Sequence, residues 1–211
     1  MVITIVDYGL GNLGSIANIV RKCGGTPQIT SNVEYIKNAE KIILPGVGAF
    51  DNGMSRINEL GFADILRKKA IVDKVPILGI CLGMQLLTRS SNEGKINGLG
   101  LIDAIVKKFE FDKSDEEKKK VPHMGWNFVQ VVSDCSLLRK TDYPIEDPRF
   151  YFVHSYYVKC NDQADVVGVT RYGHDFVSVF HKNNIYGMQF HPEKSHKFGM
   201  SVFRDFINLK G

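Results

Sequence analysis

The chain has 211 residues, of which 44% are hydrophobic and 24% charged, with a formal net charge of +4. That length fits one domain, 1–211, with a large core, and the balance excludes a disordered, fibrous or collagen-like chain. The mildly basic charge does not call for nucleic acid. It suits an anionic small molecule or an acidic partner face. Met1 leads into an apolar stretch without a basic leader or cleavage site, and no apolar run approaches the ~20 residues that span a bilayer. A cytoplasmic protein with no membrane attachment is expected. Cys23, Cys81, Cys135 and Cys160 are scattered, with no C-x-x-C pair. Neither a zinc site nor a disulfide framework is expected, and no metal or other cofactor.

Short apolar runs alternate with helical patterns through the first half. Strands are predicted at Val2–Val6, Pro27–Thr30, Lys41–Leu44 and Pro76–Ile80. Helices are predicted around Ile16–Cys23, stopped by Gly24-Gly25, over Asp51–Val72 with a break near Gly61, and over Leu82–Thr88. This β-α-β-α order argues for a parallel sheet with helices on both faces. The second half reads differently. Phe128–Val132, Phe150–Val153, Tyr156–Lys159, Val166–Thr170, Val177–Phe180 and Ile185–Phe190 are short strand-like runs, expected as antiparallel additions. A last helix spans Ser195–Leu209. Asp112–Lys120 (DKSDEEKKK) reads as a solvated loop or hairpin tip.

Gly9 to Gly14 (GLGNLG) fits the dinucleotide fingerprint G-x-G-x-x-G after a strand. A ribose-binding acid should end the next strand, yet Thr30-Ser31-Asn32 stands there. A tight strand-to-helix turn is the better reading, with a nucleotide-binding module as the alternative. The stretch Gly79-Ile80-Cys81-Leu82-Gly83 carries more chemistry. A strand runs directly into Cys81 and a helix starts directly after it, as in a nucleophile elbow with Cys in place of Ser. Glycines two before and two after leave room for strand and helix to approach. The helix start favours thiolate, and the Leu82 N–H is placed to hold an oxyanion.

A thiol nucleophile needs a base, and the base an orienter. His191, at the end of a strand, can reach the same cleft, Pro192 fixes the turn, and Glu193 can hold the second ring nitrogen. Pro45-Gly46-Val47-Gly48 ends the third strand, beyond which parallel sheets bind ligands. Its glycines allow a second oxyanion donor to approach, and they lower the barrier to a peptide flip. Trp126, the only tryptophan, sits between Gly125 and Asn127 on a segment read as lacking strand alternation.

Together GICLGMQ and HPEKS resemble the class I, triad-type glutamine amidotransferases. DYGLGN, PGVGAF, VPHMGWN and YFVHSY are similar to the glutaminase subunits of imidazole glycerol phosphate synthases, and the likeness spans nearly the whole chain. The resemblance implies a flavodoxin-like α/β/α sandwich with a mostly parallel central sheet and extra antiparallel strands in the C-terminal half. It implies a Cys81–His191–Glu193 triad, an oxyanion site from Val47, Gly48 and Leu82, and a grip on L-glutamine by Gln85, Glu93, His154, Ser155 and Tyr156. Asn12, Trp126 and Tyr151 would face a (β/α)₈-barrel cyclase in a heterodimer. Ammonia would pass to the barrel, which makes imidazole glycerol phosphate and AICAR from PRFAR in histidine biosynthesis. Similar subunits feed cyclase-like barrels in bacterial surface-sugar pathways, and the acceptor is chosen by the barrel.

Overall fold

The computed structural model describes residues 1–111, 120–143 and 146–209. The charged run expected as a solvated loop lies, from 112 to 119, outside the described residues. The first half builds β1 (Val2–Val6), α1 (Leu13–Lys22), β2 (Thr26–Thr30), α2 (Val33–Lys37), β3 (Ile42–Leu44), α3 (Phe50–Glu59), α4 (Phe62–Ile71), β4 (Ile77–Ile80) and α5 (Leu82–Leu86). The second half adds β5 (Ser90–Ser91), β6 (Ala104–Lys108), β7 (His123–Phe128), β8 (Gln130–Val131), β9 (Arg149–His154), β10 (Tyr156–Cys160), β11 (Val166–Tyr172), β12 (His174–Lys182), β13 (Ile185–Met188) and α6 (His196–Asn208).

Local chemistry sets the boundaries. The Asn12 side chain accepts from the Ser15 N–H and caps α1, and Gly24 stops it at φ +88°. The break near Gly61 is real: its φ is +70°, and it separates α3 from α4. Strand β4 is buried at every position. That explains its unbroken apolar run, since central parallel strands are covered on both faces.

The large sheet runs β2-β1-β3-β4-β13-β12-β10-β6-β5, with β11 on β12 and β8 on β11. The five strands β2-β1-β3-β4-β13 are parallel throughout. Strands β12, β10, β11 and β8 pair antiparallel, as expected of the second half. Two runs expected with them do not join in that way: Ile185–Phe190 supplies β13, which lies parallel to β4, and Phe150–Val153 belongs to β9 of a separate two-stranded ribbon. The parallel order is that of flavodoxin-like folds. One core cluster joins the sheet to α2–α5, and the other joins it to α1, α6 and the separate β7–β9 ribbon. The result is the three-layer α/β/α architecture expected. Lys41 is buried, and its Nζ donates to the carbonyls of Ile207 and Leu209 at 2.5 and 2.6 Å. It thereby satisfies the end of α6 from the sheet side. Among the described residues no helix is long and apolar enough to cross a membrane.

Three expectations need correction. Strand β6 and helix α2 were not among the predicted elements. The run Phe128–Val132 is not one strand, because Phe128 ends β7 and β8 covers only Gln130–Val131. The Trp126 segment is itself a strand, β7, in register with β9.

Candidate active site

Strands β4 and β13 are neighbours with Ile80 opposite Met188. The next residues, Cys81 and Gln189, therefore emerge side by side, and the Cys81 N–H donates to the Met188 carbonyl at 2.8 Å. Cys81 sits at φ 53°, ψ −110°, a conformation that L residues avoid. The flanking glycines make it possible. A Cβ on Gly83 would lie 1.8 Å from the Leu44 carbonyl oxygen, and one on Gly79 would lie 2.8 Å from the Gly83 oxygen. Strand, turn and helix thus approach more closely than any side chain would permit.

His191 follows β13 and leads into the single 3₁₀ turn Pro192–Lys194. Its Nδ1 lies 2.8 Å from Glu193 Oε1, so Nδ1–H donates to the carboxylate and Nε2 is the nitrogen left for proton transfer. Both side chains are almost wholly buried. Burial opposes the imidazolium, but the Cys81 sulfur as thiolate and the Glu193 carboxylate outweigh it and raise the pKa to about 10. Nε2 meets no hydrogen-bond partner among the described residues. Cys81 is nonetheless close enough to act on the ring, and catalytic hydrogen bonds commonly tighten only when substrate binds. Ser195, which the sequence reading passed over, holds the segment. Its Oγ donates to the His191 carbonyl at 2.7 Å and accepts the Tyr151 N–H at 3.1 Å, while the His191 N–H donates to the Tyr151 carbonyl.

A cleft of about 380 Å³ opens beside Cys81. Val47, Gly48, Leu82, Gln85, Glu93 and the 153–156 segment line it. Every residue expected to grip glutamine or hold the oxyanion lies on this wall: Val47, Gly48, Leu82, Gln85, Glu93, His154, Ser155 and Tyr156. Glu93 accepts the Phe50 N–H at 2.8 Å through Oε2. Gln85 Nε2 donates to the Tyr156 carbonyl and to Gln189 Oε1, both at 3.0 Å. With both N–H bonds used, its Oε1 can only accept. Gln85 and Glu93 therefore offer acceptors suited to an ammonium group.

His154 is buried, and its pKa falls to about 3, chiefly through desolvation and further through His123 and His191, against a backbone bond at Tyr156. It is a neutral ring. Its Nδ1–H donates to the Tyr156 carbonyl at 2.8 Å, so its Nε2 must accept from His123 Nδ1 at 3.0 Å.

The Leu82 N–H does not point into open space. It donates to the Gly46 carbonyl at 3.3 Å. Below this loop, Tyr8 donates its hydroxyl to the Pro45 carbonyl at 2.6 Å. Burial, reinforced by Cys81, raises the Tyr8 pKa, so the phenol remains a donor. Gly11, in the fingerprint-like turn, packs against Pro45, with a Cβ position 3.4 Å from it.

Asn12 is exposed. Trp126 and Tyr151 are register partners on the β7–β9 ribbon, edge to face at 6.2 Å, and Trp126 also stacks on His196 at 5.4 Å. Met124, Trp126 and Phe128 are all exposed, at 62%, 41% and 42%. They form an apolar row on the outer face of β7, where solitary exposed apolar residues would need no explanation but a row does.

The model of the family described as glutamine amidotransferase class-I matches residues 4–209. The chain is 53% identical to the imidazole glycerol phosphate synthase subunit HisH 2 of Methanococcus maripaludis, covering 97% of this chain and 98% of that one. It is 46% identical to the subunit HisH of Leptospira borgpetersenii, covering 98% and 100%. Among solved structures, a glutamine amidotransferase superposes with a TM-score of 0.73 at 16% identity, covering 98% and 99%. PurLQS from Thermotoga maritima does so with a TM-score of 0.73 at 20%, covering 98% and 97%. These last two likenesses bear on the fold alone.

Proposed function

The chain belongs to the class-I glutamine amidotransferase family, and from that premise we propose that it is the glutaminase subunit of an imidazole glycerol phosphate synthase, acting in histidine biosynthesis. It is read as one domain with Cys81 as nucleophile. The observation that carries the assignment is the placement of Cys81 and the buried His191–Glu193 pair at adjoining strand ends.

The geometry supports the following roles. Cys81 passes its proton to His191 Nε2, and the thiolate attacks the side-chain amide carbon of L-glutamine. The carbonyl oxygen becomes an oxyanion, held by the N–H groups of Leu82 and the Val47–Gly48 segment. His191 gives its proton to the leaving nitrogen, ammonia departs, and a glutamyl thioester remains on Cys81. Water, deprotonated by His191, then releases glutamate. Glu193 holds the ring and stabilises its charged form. Glu93 and Gln85 Oε1 receive the substrate α-ammonium, and the 154–156 backbone its carboxylate.

Ammonia made here is consumed elsewhere, which is the reason for a partner. We assign that partner as the (β/α)₈-barrel cyclase that converts PRFAR, docked in a heterodimer on the face bearing Asn12, Trp126 and Tyr151, in the cytoplasm. The test is glutamine hydrolysis by Cys81→Ser in complex with the cyclase. The loss should be at least ~10³-fold with the fold intact. Near-full activity in that variant would overturn the assignment.

A further inference from the structure

Gln189 is fully buried, and the catalytic scheme above gives it no task. It lies two residues before His191 and beside Cys81. Its Nε2 is 3.8 Å from Cys81 Sγ, within the range of a hydrogen bond to sulfur. We propose that Gln189 is a further catalytic residue, an amide donor fixed on the nucleophile's sulfur that assists its departure from the glutamyl thioester. The inference rests on the reading of Cys81 as the nucleophile.

The direction of the amide is decided by its surroundings. The Tyr156 carbonyl can only accept, so the group Gln85 presents to it is NH₂. That same NH₂ then faces Gln189 at 3.0 Å, and only Gln189 Oε1 can meet it. A reversed Gln189 would set two donors against each other in a buried site. Its NH₂ is therefore left facing the sulfur. The Tyr156 carbonyl is held in turn by His154 Nδ1–H, and His154 by His123. Gln189 is the last member of a chain of donors and acceptors whose sense is set throughout.

A donor on sulfur matters most when the sulfur is charged. In the thioester, the electron pair is shared with the acyl carbon and the bond to Gln189 is weak. When water adds, its proton goes to His191 Nε2 and a C–O bond forms. Collapse then breaks the C–S bond and returns the pair to Sγ as thiolate, which Gln189 stabilises. The same bond stabilises the attacking thiolate and does not speed its attack. Its removal slows the second half-reaction more than the first.

The test is Gln189→Met and Gln189→Leu, which come close to the volume and remove the donor, assayed in complex with the cyclase. A hydrogen bond to a charged group corresponds to roughly tenfold or more in rate. The expected result is a fall of about tenfold in kcat, a KM that falls with it, and a glutamyl adduct on Cys81 in the quenched enzyme by intact mass. Unchanged kcat, or a loss of kcat without the adduct, overturns the proposal. A measurement on the unsubstituted protein stands beside this. The Gln189 side-chain amide resonance should move when Cys81 is alkylated by 6-diazo-5-oxonorleucine, and a stationary resonance under complete labelling overturns it equally. If the alkylator leaves Cys81 untouched and Cys81→Ser keeps its glutaminase activity, the nucleophile is wrong, and this inference goes with it. Normal Cys81 dependence with unaltered Gln189 variants rejects Gln189 alone.

Discussion

Glu193 reaches only the far side of the His191 ring, so its removal should be felt in turnover before it is felt in binding. The amide of Glu193→Gln keeps the volume but no longer balances an imidazolium. The charge of His191 develops only once the thiol proton has moved, and Glu193 is one of two groups that raise its pKa to about 10. We expect kcat to fall by about 10²-fold or more, by analogy with orienter substitutions, while KM changes little. Steady-state kinetics on glutamine decide it: a rise in KM at constant kcat would make Glu193 a binding residue. The pair was legible in the sequence because chemistry restricts what can follow a base at a strand end. Gln189 and Ser195 were not. A buried glutamine and a buried serine carry no spacing signal of their own, and two of the groups they meet, Cys81 for Gln189 and Tyr151 for Ser195, are far away in sequence.

At the scale of elements, β7 explains why the Trp126 segment was misread. Strand alternation was sought as apolar residues facing in. Here His123 faces in, while Met124, Trp126 and Phe128 face out. The period of two is present with its polarity reversed, as suits a strand that buries its apolar side only against another molecule. Trp126→Ala should leave the melting temperature nearly unchanged, because the ring is 41% exposed. It should weaken association with the cyclase by about 2 kcal/mol or more, the scale of an aromatic anchor at an interface centre. Calorimetry of unfolding and of binding separates the two effects, and a large stability loss with unaltered affinity would return the residue to the core.

The inward side of the same ribbon has its own consequence. His154 must stay neutral to donate to Tyr156, and its pKa of about 3 lies below the ordinary 6.5. A depressed group contributes stability that is present above the unfolded pKa and lost as pH falls toward the folded one. Between pH 6.5 and about pH 4.5 the unprotonated native ring should cost the protein roughly 2 kcal/mol that His154→Gln does not lose. Denaturant unfolding of both proteins across that window measures the difference, and parallel curves would refute the neutral relay.

For the whole molecule, the alternation of apolar runs with helical patterns made the parallel half readable, since each βα unit is local in sequence. The mixed half was readable only as strands. Its tight hairpins, β11–β12 around Gly173 and β12–β13 around Asn183, are local, but other pairings join distant segments, such as β6 with β10. The cleft lies where these halves meet, and that position bears on control. The Leu82 N–H, one of the two expected oxyanion donors, is occupied by the Gly46 carbonyl. The Gly46–Val47 peptide therefore directs its oxygen toward the place where the oxyanion must form. Gly46 itself is pinned, since a Cβ there would lie 2.3 Å from the Tyr8 hydroxyl and 2.9 Å from Leu82 Cβ. Beyond it the chain is freer. Gly48 sits at φ +108° with nothing within 4 Å of its Cβ position, and Val47 is 43% exposed. A rotation of this one peptide frees Leu82 and turns the Val47 N–H inward, giving two donors where there were none. One such donor contributes about 10²–10³ in rate, or ~3–4 kcal/mol. A partner that prefers the turned state by a comparable free energy would shift the population accordingly. The subunit alone should therefore hydrolyse glutamine slowly. Cyclase with a bound acceptor analogue should accelerate it by ~10²-fold or more. Glutaminase assays on the lone subunit, on the pair, and on the pair with the analogue measure this in order. Rapid turnover by the lone subunit, indifferent to both additions, would show that the Gly46 carbonyl is no obstacle, and would leave the Cys81 chemistry in place.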